Sequence, residues 1–223
     1  MQGVTRDVHD RLNAAYGASA RRPESSDSFE AAVAAILGQQ GGSAKASLAI
    51  ERLRDNEVRD PHAVLAMELE ELETLLKPAG HAAAKAKRLR SLCRHVVEQR
   101  DGCCDDLFSQ SRSSLVEELL SINGIGPETA DTIALFAARL PAFPIEAGTH
   151  RVWKRHGWAD MEADYFSLQE QIESGLPADA AAHQELHALL SRVASDFCRT
   201  QPKCDGCPLA CLLPPGGPID PQA

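Results

Sequence analysis

The chain has 223 residues, 43% of them hydrophobic, and a formal net charge of −9. This is enough apolar material for one large or two modest domains, and no run of eighteen apolar residues offers a membrane span. The acidic balance argues mildly against a nucleic-acid partner on charge alone, because neutralising phosphates calls for lysine and arginine.

Aromatic residues are only 4% while alanine and leucine are abundant, which favours helix over sheet. The opening stretch, residues 1–10, is polar and contains no apolar signal segment. Helical periodicity then begins at 28–38, where a serine caps the start and Gly38 closes the end. Further helical patterns follow at about 43–54, 61–66, 68–76, 82–99, 113–121, 127–139, 148–156, 164–174 and 180–196. No alternating strand pattern of useful length is present, so the fold class is all-α. The proline- and glycine-rich tail after Cys211 is expected to fray.

Between two of these helices lies Ile122-Asn123-Gly124-Ile125-Gly126-Pro127. Proline suits the first turn of the helix that follows. The glycines permit positive φ and close approach of backbone to a ligand. Amides beside a helix N-terminus form an anion site suited to phosphate. An ordinary glycine-capped helical hairpin fits the same residues.

Charge is unevenly spread. Acidic residues gather at 55–73 and 160–185, and basic ones at 85–94 and 151–156. The basic runs are either solvated helix faces or a DNA-facing surface.

Near the C-terminus, Cys198, Cys204, Cys207 and Cys211 fall within fourteen residues, spaced C-x5-C-x2-C-x3-C. Four thiolates at this density are suited to hold one metal centre, either zinc or an iron–sulfur cluster. Structural zinc usually takes two C-x2-C pairs, and only one is present, which favours a [4Fe–4S] cluster. Seven cysteines without a secretory leader suit a reducing cytoplasm rather than a disulfide framework.

In order along the chain, five pieces carry a resemblance: Phe29…Ile36-Leu37-Gly38-Gln39-Gln40; Gly80…Lys85-Ala86; Ile122-Asn123-Gly124-Ile125-Gly126…Thr129-Ala130; Pro144-Ile145-Glu146…Arg151-Val152…Arg155-His156-Gly157; and the cysteine run. Together they resemble the endonuclease III branch of the helix-hairpin-helix (HhH-GPD) DNA glycosylases over nearly the whole length. The resemblance implies two helical domains, a hairpin-bearing one over 25–137 and an iron–sulfur domain from 1–24 plus 138–223. It implies that duplex DNA with a damaged base or abasic site lies across the cleft, with the base flipped out at a cost of a few kcal/mol. It also implies a monomeric, bacterial, nucleoid-associated cytoplasmic protein.

Carried over by position, the resemblance assigns DNA contacts to Gln40, His81, Lys85, Gly124, Gly126, Thr129 and Arg151, with Arg88 a further phosphate candidate. Gln40 matches the glutamine that fills the gap left by the flipped base. His81-Ala82 replaces the usual leucine–aromatic wedge. Where bifunctional members carry the Schiff-base lysine this chain has Glu128, which cannot form an imine; a first-turn acid favourable to the helix dipole is its plain alternative. Eighteen residues further on, the family's aspartate position falls on Glu146, one methylene longer. An alternative register aligned on Thr149-His150 would place Gly148 there instead. Against the family, the cysteine run is shorter by one residue before Cys204 and two before Cys211. The functions implied are a monofunctional glycosylase that hydrolyses the N-glycosidic bond, a silent relative that binds abasic or distorted DNA, or an abasic-site lyase using another amine.

Overall fold

The computed structural model describes residues 2–17, 27–38 and 43–219. Among these residues it contains twelve α-helices and no strand, only an isolated antiparallel bridge between Cys198 and Pro202. The chain divides into two compact units, Glu24–Leu140 and Met1–Pro23 with Pro141–Ala223.

The first of these units holds α2 (Ser28–Gly38), α3 (Ser43–Asp55), α4 (Pro61–Ala66), α5 (Leu69–Leu76), α6 (Ala82–Arg100), α7 (Cys104–Phe108), α8 (Arg112–Ser121) and α9 (Pro127–Phe136). α2 is apolar around its circumference and buries Phe29, Ala31, Ala32, Val33, Ala35, Ile36 and Leu37. A helix without a polar face belongs at the centre, and α3, α6, α7 and α9 pack around it. Burying each of its larger side chains contributes roughly 1.5–3 kcal/mol.

Capping fixes several helix starts in this unit. Asp60 accepts the Ala63 amide at 2.8 Å, with Pro61 in the first turn of α4. Ser111 accepts the Ser114 amide at the start of α8. At α2 the cap is Asp27, whose Oδ1 accepts the Phe29 and Glu30 amides. The serine expected to cap it, Ser28, lies inside the first turn, and its hydroxyl donates to Asp105 at 2.5 Å. α9 stops at Phe136, three residues earlier than periodicity predicts. Arg139 turns left-handed at φ +54 and the Leu140 amide reaches back six residues to the Ala134 carbonyl at 2.9 Å, closing the helix end.

The other unit holds α1 (Gln2–Tyr16), α10 (Ala147–Arg155), α11 (Tyr165–Glu173) and α12 (Ala180–Asp196). α12 is its spine, packed by α10 and α1, with α1 also touching α11. Its core includes Leu12, Phe143, Trp153, Leu168, Leu189 and Val193. α10 and α12 meet at Gly148: a β-carbon there would stand 2.7 Å from the Ala194 Cβ. Of the tail expected to fray, the described part ends at Ile219, whose amide donates to the Arg155 carbonyl at 2.9 Å; residues 220–223 lie outside the described residues.

Candidate functional site

In the hairpin, α8 ends at Ser121 and α9 starts at Pro127. The Ile125 amide donates to the Ile122 carbonyl at 3.0 Å, closing a four-residue turn whose third residue, Gly124, has φ +89. A type II turn requires that conformation, which explains the glycine. Ile122 and Ile125 are buried beneath the turn, while Gly124 and Gly126 are exposed. Gly126 occupies the N-cap of α9 and brings no side chain to cap it. The N-terminal end of a helix carries the positive end of its dipole, which suits it to an anion. The stem of Arg88 on α6 packs over the turn, 3.0 Å from where a Gly124 Cβ would lie.

Other residues assigned to this region divide by burial. His81 is exposed and holds a left-handed backbone at φ +49, directly after Gly80 at φ +72. Glu128 is half-buried in the first turn of α9. Thr129, in the same first turn, is 2% exposed. Gln40 lies outside the described residues.

Lys85, expected to grip phosphate, is 2% exposed. Its ammonium donates to the Leu37 carbonyl at 2.7 Å and the Ala79 carbonyl at 2.8 Å, bracing the end of α2 against the turn before α6. Burial, and then the neighbouring Arg88 charge, lowers its pKa. Buried charge needs such acceptors, and two carbonyls supply them here, so Lys85 is a brace and not a surface contact.

The basic run 151–156 is likewise internal. Lys154, Arg155 and His156 are all buried. Lys154 donates to the Met161 carbonyl, and Arg155 to the carbonyls of Arg199 and Thr200. Arg151, expected at phosphate, donates through Nε to the Cys198 carbonyl at 3.0 Å. His156 places Nδ1 2.7 Å from the Val152 carbonyl and stacks on Trp158; burial lowers its pKa. Lys154, Arg155 and His156 are therefore not a solvated face, while Arg151 remains half-buried. The segment braces the cysteine-bearing end of the chain.

At that end Cys198, Cys204 and Cys207 line one recess with Arg155, Phe197 and Leu213, while Cys211 is exposed. Arg155 Nη1 lies 3.5 Å from Cys198 Sγ, and Arg11 Nη1 on α1 lies 3.0 Å from Cys211 Sγ. Among the described residues no group of three or more His, Cys, Asp or Glu side chains is arranged to hold a metal ion. Burial raises the pKa of Cys204 and Cys207.

Glu146 occupies the N-cap position of α10 but caps no amide with its side chain. Its carboxylate crosses to α12 instead. Ser191 Oγ donates to Oε2 at 2.9 Å, and His187 Nε2 lies 3.1 Å from Oε1. The carboxylate keeps 32% of its surface in solvent, whereas His187 keeps 1%. Gly148, the alternative in the other register, faces Ala194 and offers no functional group. His187 and Ser191 were not singled out from the sequence. The signal was there as His183, His187 and Ser191 at four-residue steps, a polar stripe along one face of α12.

Residues 33–178, more than half of the chain, match the family model described as HhH-GPD superfamily base excision DNA repair protein. A Methanocaldococcus jannaschii protein provisionally named a DNA repair glycosylase is 34% identical over 183 residues, covering 81% of this chain and 83% of the relative. Endonuclease III of Thermotoga maritima is 24% identical over 188 residues, covering 84% and 83%. Among solved structures, a non-covalent endonuclease III–DNA complex superposes with a TM-score of 0.79 at 24% identity, covering 96% of this chain and 95% of that one, which establishes the fold. With the glycine-cornered hairpin and these matches together, the chain belongs to the HhH-GPD superfamily of base excision DNA repair proteins.

Proposed function

We propose that the protein is a monofunctional DNA glycosylase. In this reading the hairpin amides around Gly124 and Gly126 hold a phosphate of damaged duplex DNA. Glu146 then assists a water molecule in attacking the sugar C1′. The C1′–O bond forms and the N-glycosidic bond breaks, with its electron pair leaving on the base. The Glu146 carboxylate accepts the proton from water and stabilises positive charge developing on the sugar. The product is an abasic site.

The observation carrying this reading is the Glu146 carboxylate itself, held by Ser191 at 2.9 Å yet partly open to solvent. A ready nucleophilic lysine is missing from the hairpin, where Glu128 stands. Lys85 and Lys154 both commit their ammonium groups to backbone carbonyls, which supports hydrolysis over imine chemistry.

Cys198, Cys204, Cys207 and Cys211 are assigned to a [4Fe–4S] cluster in the same reading. Three of them line one recess, and guanidinium donors at Cys198 and Cys211 suit sulfurs carrying negative charge. When bound, the cluster would staple the loop through tetra-thiolate ligation.

The test is to incubate the purified protein with duplexes carrying oxidised, deaminated or alkylated bases, followed by hot alkali. Breaks that require alkali are expected, and Glu146→Gln should abolish them. Strand breaks without alkali, trapped by borohydride, would restore a lyase. Tight abasic-site binding with no base release would leave a silent DNA binder.

A further inference from the structure

Glu146 replaces the family's aspartate with a side chain one methylene longer, and so with one more torsion to fix. Misplacing a reacting group by 1 Å can cost on the order of 100-fold in rate. The structure supplies the missing constraint from α12. His187 Nε2 stands 3.1 Å from Oε1 and the Ser191 hydroxyl donates to Oε2 at 2.9 Å, so each carboxylate oxygen faces its own group on that helix. The edge-on packing of Phe143 against the His187 ring, 6.1 Å between centroids at 65°, fixes the imidazole plane. The ring is 1% exposed in its side chain, and a buried imidazole is costly without a polar partner.

We propose that His187, with Ser191, is a positioning residue that aims the Glu146 carboxylate at the reacting sugar. The assignment rests on Glu146 being the reactive carboxylate. Ser191 donates to Oε2 at 2.9 Å, and the buried His187 ring sets Nε2 within ion-pair distance of Oε1, 3.1 Å away. An ionised carboxylate has further lone pairs on both oxygens, so its capacity to accept a proton from water is retained.

The experiment compares single-turnover base release and affinity for an abasic-site duplex in the full-length protein. His187→Leu is expected to slow release about 10- to 100-fold with duplex affinity unchanged. His187→Gln, which keeps an N–H donor, is expected to restore most of the rate. Ser191→Ala, at a half-buried position, is expected to slow release about threefold or more, which keeps the proposal testable if the leucine variant does not fold. Wild-type rates in both His187→Leu and Ser191→Ala, beside an inactive Glu146→Gln, would overturn the positioning role alone. So would a folded His187→Gln no faster than His187→Leu. Full activity in Glu146→Gln, or no base released by the wild type from any duplex, would remove the Glu146 reading and this proposal with it.

Discussion

Gly148 on α10 and Ala194 on α12 approach so closely that a β-carbon on the glycine would sit 2.7 Å from the alanine's own. Neither atom is the end of a flexible chain, so Gly148→Ala must move a helix. Overpacking of this kind costs about 1–3 kcal/mol. Because Glu146 lies two residues upstream and reaches to α12, the same shift is expected to slow base release. Chemical denaturation and single-turnover kinetics on Gly148→Ala check both effects.

Gly124 holds φ +89 at the corner of the hairpin, with the Arg88 stem packed against it. Gly124→Ala is expected to lose about 1–2 kcal/mol of stability through the left-handed backbone. If the turn presents amides to a phosphate, the variant also binds duplex more weakly. Titration against a fluorescent duplex, run beside thermal unfolding, distinguishes lost affinity from lost fold.

Glu118 on α8 gathers His95 at 2.7 Å, Gln110 at 2.6 Å and both oxygens' contacts with Arg100. Burial alone would raise its pKa, but the hydrogen bonds from His95 and Gln110 and the Arg100 charge prevail and lower it below 4.5. A depressed folded-state value means the ionised carboxylate favours the native protein above the unfolded pKa. That contribution disappears as pH falls through the lower folded value. Glu118→Gln is expected to cost about 1–3 kcal/mol at neutral pH and to flatten the acid limb of the stability curve. Urea unfolding from pH 7 downward measures it.

Iron content tests the cysteine assignment. Protein purified without oxygen is expected to carry four iron and four sulfide per chain, and Cys207→Ser to lose most of both. Arg155→Met removes the guanidinium beside Cys198 and is expected to lower retention of the cluster under chelator. Chemical iron and sulfide assays read all three; stoichiometric zinc in their place would refute the cluster.

Much of the fold could be read from residue order. α2 announced itself by a polar start, an apolar run over 31–37 and a closing glycine, and the hairpin by Gly124, Gly126 and Pro127. α1 did not, because its buried stripe of Thr5, Val8 and Leu12 is narrow and set in a polar sequence. α7, at five residues, is too short to show a period. The site was harder. Composition marks Lys85 and the 151–156 run as basic but says nothing of the carbonyls waiting for them, since those belong to turns far away in the chain. His187 escaped notice for the converse reason: a histidine stripe on a helix reads as its wet side until α10 is seen to cover it.

The inward turn of Lys85, Lys154 and Arg155 has an outcome for ionic strength. Cations already engaged with carbonyls displace no sodium from a polyanion. Each phosphate neutralised contributes about −0.9 to the slope of log K against log salt, so these three add nothing to it. Any salt slope measured for duplex binding is therefore expected to come from cations left at the surface, such as Lys87.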